Sequence, residues 1–158
     1  MIGEFEAAVF RTQSFKSSRS LGRSVRYEEL EHTADVGIRA FGTNADELFA
    51  AAAEGMFSLI ADLSKVKPKG EVDVRVSGSG LDRLFVNWLS ELLVLHETQD
   101  VLLRRFEVRV AEDRADGRAW GERIDKRRHR LKLAVKAVTS HRLRVDPAAG
   151  IAEVIFDV

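Results

Sequence analysis

A chain of 158 residues with 45% hydrophobic and 32% charged side chains has the composition of one globular domain with a short appendage, and that excludes a disordered protein. Cysteine is absent, which excludes a disulfide scaffold, a thiolate zinc site and a cysteine nucleophile. The formal net charge is zero, and no apolar run approaches the ~18 residues of a membrane-spanning helix, so a cytoplasmic protein fits and a membrane partner does not.

Residues 1–24 stand apart. Ser14, Ser17, Ser18 and Ser20 are interspersed with Lys16, Arg19 and Arg23 without a helical or strand period. The stretch lacks the apolar core of a secretory signal, and Glu4 and Glu6 argue against a transit peptide. It reads as an accessory extension, and residues 25–158 as a single domain.

From Arg26 onward the pattern becomes α+β. Tyr27–Leu30 and Val36–Phe41 read as short strands around Glu31-His32-Thr33-Ala34-Asp35. Asn44, with Glu47 three residues on, has the spacing of a capping box. Leu48, Ala52, Met56 and Leu59 then predict an amphipathic helix to about Ala61, one face on a sheet. Gly55 inside it costs about 1 kcal/mol against alanine and implies close packing.

Residues 65–70 predict a loop, and Val72, Val74 and Val76 a half-buried strand. After the turn at 77–80, Leu81, Leu84, Phe85, Trp88, Leu89, Leu92 and Leu95 form the stripe of a second amphipathic helix. Strands follow at 105–110, 118–124, 131–139, 141–145 and 151–158, with Asp116-Gly117 as a hairpin turn. The fold class expected is α+β: a mainly antiparallel or mixed β-sheet sandwich with two amphipathic helices.

Charge is unevenly spread. Residues 118–144 carry ten Lys or Arg against two acids, Glu122 and Asp125. That strip has two readings, contact with RNA or a solvated sheet edge guarded by charge. No phosphate-binding glycine loop, Gly-x-Ser-x-Gly elbow or helical histidine pair is present. Carboxylates are the more informative residues. Asp157 is penultimate and adjoins the free carboxylate of Val158, so two acidic groups crowd one chain end. Were Asp35 to fold against them, an all-oxygen site for Ca²⁺, Mg²⁺ or Mn²⁺ would result. The alternative is a surface salt bridge, for example to Lys136.

Taken together, five ordered segments resemble the archease family. They are Glu31-His32-Thr33-Ala34-Asp35-Val36-Gly37-Ile38, Leu84-Phe85-Val86-Asn87-Trp88-Leu89-Ser90-Glu91-Leu92-Leu93, Gly121-Glu122-Arg123-Ile124-Asp125 with His129, Val135-Lys136-Ala137-Val138-Thr139 with His141, and the terminal Val154-Ile155-Phe156-Asp157-Val158. The resemblance runs from about Tyr27 to the last residue. It implies a single archease-like domain and a non-enzymatic protein cofactor of the RtcB-type RNA-splicing ligase. Such a cofactor promotes guanylylation of the ligase, supports its multiple turnover and broadens its nucleotide use. It also implies a divalent cation, usually Ca²⁺, on Asp35, Asp157 and Val158. Lys136, His32, Glu122, Asp125 and His129 are further candidates by the same resemblance, and RNA is expected to be reached through the ligase.

Two other classes compete. A direct RNA-binding module would rest on Arg127, Arg128 and Arg130 and show salt-steep affinity. A metallohydrolase built on His32, Asp35 and His129 would turn over a phosphoester unaided.

Overall fold

The computed structural model describes residues 9–11, 26–31 and 35–158. Its elements are β1 (Arg26–Glu31), β2 (Val36–Phe41), α1 (Ala45–Ile60), a 3₁₀ turn (Leu63–Lys65), β3 (Gly70–Ser77), α2 (Leu81–Gln99), β4 (Val101–Val110), β5 (Arg114–Arg123), β6 (Ala137–Asp146) and β7 (Ile151–Asp157). Two sheets form, ordered β1-β2-β7-β6 and β3-β5-β4, and every pairing is antiparallel. The α+β sandwich is therefore present, and its helices are the filling. One side of α1 touches β1, β2 and β7 and another touches β4, while α2 touches β6 as well as β3.

This placement corrects the one-faced reading of α1. Ten of its sixteen residues are buried, because both sheets and α2 press on it. Its start follows the sequence signal: Asn44 Oδ1 accepts the Glu47 N–H at 2.9 Å, and Glu47 Oε1 accepts the Thr43 N–H at 2.8 Å. Gly55 is required by contact, since a Cβ there would stand 2.7 Å from Ile38 Cδ1 and 3.2 Å from Tyr27 Cγ.

At the other end of α1, all four terminal carbonyls find donors. Phe57 O takes the Ala61 N–H at 3.0 Å, Leu59 O the Leu133 N–H at 3.0 Å, and Ile60 O the Lys132 N–H at 2.7 Å. Ser58 O takes the Lys132 ammonium at 2.9 Å. Unmet carbonyls at a helix end are costly when buried, and a cation there also suits the helix dipole. The expected strand over 131–139 is consequently wrong as far as Lys136. Lys132 and Leu133 spend their backbone donors on α1, and β6 begins only at Ala137. The separate strand expected at 141–145 merges into β6, which carries an irregularity between Thr139 and Arg144 and a left-handed Arg142 at φ 57°.

Asp116-Gly117 is not a turn either. Both residues lie inside β5, and the chain reverses at 111–113, where the Ala111 N–H donates to Arg114 O at 2.8 Å. Gly117 serves packing: a Cβ there would sit 2.6 Å from Trp88 Cη2 and 2.7 Å from Glu107 O. Trp88 is fully buried and donates its indole N–H to Phe49 O at 3.0 Å, tying α2 to α1.

Of the N-terminal extension, residues 9–11 lie against β3. Arg11 exchanges two 2.7 Å backbone hydrogen bonds with Glu71, and Phe10 joins the core at 4% exposure. The serine-rich stretch expected to be featureless lies outside the described residues.

Candidate functional site

Asp35 immediately precedes β2, and Asp157 closes β7. The β2–β7 register sets Val36 opposite Phe156, so one step outward sets Asp35 opposite Asp157. Side chains alternate across a strand, and Phe156 faces the core. Alternation therefore turns both aspartates to the outer face of the first sheet. Facing positions of this kind hold their Cβ atoms roughly 4.5–5.5 Å apart, close enough for two carboxylates to share one cation. Asp35 is half-buried, whereas Asp157 and Val158 are exposed.

On the far side of β7, β6 pairs Ala137 with Asp157. The Lys136 N–H donates to Asp157 O at 2.7 Å. Lys136 thus meets the acidic corner through its backbone, and its exposed ammonium makes no ion pair among the described residues. The salt bridge considered as an alternative to a metal is absent there. The donors this register could offer are the carboxylates of Asp35 and Asp157 and the terminal carboxylate of Val158, one residue further on. Oxygen-only donors of this charge fit a hard divalent cation rather than Zn²⁺. Among the described residues no group of three or more His, Cys, Asp or Glu could hold a metal, so Asp35 and Asp157 do not by themselves complete a site of side-chain donors. His32 lies outside the described residues.

Glu122, Asp125 and His129 form a different assembly. Glu122, near the end of β5, is 7% exposed, and His129 is 5% exposed. The Asp125 N–H donates to His129 Nδ1 at 2.8 Å, which leaves the hydrogen on Nε2 to reach Glu122 Oε2, also at 2.8 Å. Glu122 also accepts the Lys67 N–H at 2.8 Å and both Arg128 Nη groups at 3.1 and 2.9 Å. Burial would raise the Glu122 carboxyl, but the hydrogen bonds from Arg128, Lys67 and His129 outweigh it and hold the group down at about 2. Both ring nitrogens of His129 are occupied by the fold, so it is a structural histidine here and not a metal ligand. The metallohydrolase reading loses one of its three residues.

The Glu122 assembly joins two loops that sequence reasoning kept apart, 65–69 and 124–130. Arg128 Nη1 also reaches Lys65 O at 3.3 Å, and Arg104 Nη1 holds Val66 O at 2.9 Å. Lys65, Lys67 and Lys69 therefore stand beside Arg127, Arg128 and Arg130, all of them exposed. The sequence signal for this was the basic strip, and only the tertiary pairing brings the three lysines to it.

Elsewhere, several cations are paired. On the outer face of the second sheet, Arg118 pairs with Asp73 at 2.9 Å, while Asp116 pairs with Arg114 at 3.3 Å and Arg75 at 3.5 Å. An open groove of about 430 Å³ crosses this face, lined by Asp73, Arg75, Glu107, Asp116 and Arg118 among others. None of the candidate residues lines it.

Comparison with known proteins agrees with the segments noted above. The profile of the archease protein family (MTH1598/TM1083) matches residues 27–158. The archease of Sulfurisphaera tokodaii is 38% identical over 123 residues, covering 77% of this chain and 88% of that protein. The archease of Pyrococcus abyssi is 38% identical over 125 residues with the same coverage. The solution structure of Methanobacterium thermoautotrophicum protein 1598 superposes with a TM-score of 0.71 at 33% identity, covering 84% of this chain and 98% of that one.

Proposed function

The chain belongs to the archease family, and on that premise we propose that it is a non-enzymatic activator of an RtcB-type RNA-splicing ligase. The observation that carries the reading is the facing register of Asp35 and Asp157 beside the terminal carboxylate of Val158. Two carboxylates set opposite each other on a sheet repel. A protein that keeps them so, with no basic side chain paired to either among the described residues, has arranged a place for an external positive charge.

Asp35, Asp157 and Val158 would hold a hard divalent cation, Ca²⁺ or in its place Mg²⁺ or Mn²⁺. When bound, it supplies a centre with exchangeable oxygen ligands. The residues of this chain do the rest. The outer-face carboxylates present an acidic corner, and Lys136 adds an exposed donor at its rim. Docked on the ligase, this corner favours the conformation in which the ligase takes up its guanylyl group, then releases for another round. That accounts for multiple turnover and for broadened nucleotide use. The absence, among the described residues, of a helix long and apolar enough to cross a membrane is compatible with a cytoplasmic setting.

The test is ligation at limiting ligase with GTP, Mn²⁺ and RNA halves bearing 2′,3′-cyclic phosphate and 5′-hydroxyl ends. Wild-type protein converts a single turnover into many, whereas Asp35→Ala does not. A wild-type protein that leaves the turnover number unchanged overturns the reading.

A further inference from the structure

The structure assigns a second interaction surface, built from other residues than the acidic corner, to the paired loops 65–69 and 124–130. We propose that this surface binds the phosphodiester backbone of RNA directly, with no need of the ligase.

Glu122 ties the two loops together. Its carboxylate takes hydrogen bonds from Lys67 N–H, Arg128 and His129, one group from the first loop and two from the second. A buried anion therefore fixes two cationic loops side by side. It neutralises one of their cations, Arg128, and stands 4.0 Å from Lys69. Lys65, Lys67, Lys126, Arg127 and Arg130 have no carboxylate within ion-pair distance among the described residues. On the outer face of the second sheet Arg11, Arg75, Arg105, Arg114 and Arg118 each pair with an acid, and Arg109 alone among the described arginines of that face does not. The two loops thus gather five unpaired cations on a chain whose net charge is zero, and a cluster of that kind attracts a polyanion.

Composition selects among polyanions. Of the six cations Lys65, Lys67, Lys69, Lys126, Arg127 and Arg130, four are lysine. Lysine is depleted at protein–protein interfaces, which centre on aromatic and apolar anchors. Point charges without an aromatic platform are instead what reads a sugar-phosphate backbone, without regard to sequence. The loops are held before RNA arrives, so little ordering cost falls on the binding step.

The experiment uses a 5′-fluorescein-labelled single-stranded RNA of about 20 nucleotides and fluorescence anisotropy across a salt series, without ligase. The test variant is Lys65→Gln/Lys67→Gln/Arg127→Gln/Arg130→Gln, four exposed side chains outside the core. The control is Arg75→Gln/Arg109→Gln on the second sheet. Each phosphate contact on a single strand contributes about −0.7 to the slope of log affinity against log salt. Wild type and control are expected to bind alike, and the test variant to bind at least roughly tenfold more weakly with a slope shallower by about 2 to 3. Unchanged far-UV circular dichroism shows that the variant is folded. No RNA binding by wild type, equal binding by the test variant, or an equal loss in the control overturns the proposal. None of these outcomes depends on whether the chain activates a ligase.

Discussion

His129 Nε2 stands 2.8 Å from Glu122 Oε2, and the other ring nitrogen of His129 accepts the Asp125 N–H at 2.8 Å. This pair explains why Gly121-Glu122-Arg123-Ile124-Asp125 and His129 belong together in the chain. They close a loop on itself and fasten it to the loop at 65–69.

The Glu122 carboxyl gives the first prediction. Its folded value of about 2 lies below the ordinary 4.5, so its contribution to stability is complete above pH 4.5 and is lost as pH falls toward 2. A depression of that size corresponds to about 3 kcal/mol. Glu122→Gln should therefore lower the unfolding free energy at pH 7 by roughly 2–4 kcal/mol. The gap between variant and wild type should close between pH 4.5 and 2. Urea unfolding at a series of pH values measures both. A gap that is constant with pH would mean the ionised carboxylate is not the stabilising species.

A second prediction concerns Gly117. Its Cβ would meet Trp88 Cη2 and Glu107 O at 2.6 and 2.7 Å, and overpacking a well-filled core typically costs about 1–3 kcal/mol. Gly117→Ala should cost about 2 kcal/mol in urea unfolding, and Trp88→Leu in the same chain should make the double variant less destabilised than the sum. Strict additivity would remove the steric account.

The error at Gly117 shows where sequence reading stops. Asp-Gly is the commonest signal for a tight hairpin, but a glycine that lets an indole approach a strand looks identical in one dimension. Arg114-Ala115-Asp116-Gly117 are weak strand formers, and β5 holds them because β3 and β4 pair with both its edges. The helices were legible because Asn44 and the Leu84–Leu95 stripe act locally. At the site, crowding at Asp157 and Val158 was legible from adjacency, while the approach of Asp35 depends on a strand register between opposite ends of the chain. The meeting of Lys67 with Glu122 left no local trace at all.

Lys132 gives a third prediction, from the same cause that displaced the expected strand. Its ammonium donates to Ser58 O at 2.9 Å. Lys132→Met keeps the aliphatic stem and the backbone N–H bond to Ile60 O while removing the charge. A single hydrogen bond at a helix C-terminus is worth about 1 kcal/mol. The variant should lose that amount in chemical unfolding and leave RNA affinity at high salt unchanged. A stability equal to wild type would show that water caps Ser58 equally well.

The acidic corner separates a metal site from a merely acidic one by stability alone. In chelator, Asp35 and Asp157 face each other uncompensated, and facing like charges are worth some tenths of a kcal/mol against folding. Asp35→Asn should then be as stable as wild type or slightly more so. In millimolar Ca²⁺ the order should reverse, because a ligand bound only by the folded state stabilises by RT ln(1 + [L]/Kd), about 2.7 kcal/mol at a hundredfold excess over Kd. Wild type gains melting temperature with Ca²⁺ and Asp35→Asn does not. Extending the chain by a Gly-Ser tail after Val158 moves the terminal carboxylate away and should weaken the Ca²⁺ response without touching the chelated state. If the variant and the extended chain both respond to Ca²⁺ as wild type does, the cation binds elsewhere. The facing aspartates would then act on a partner through their charge alone.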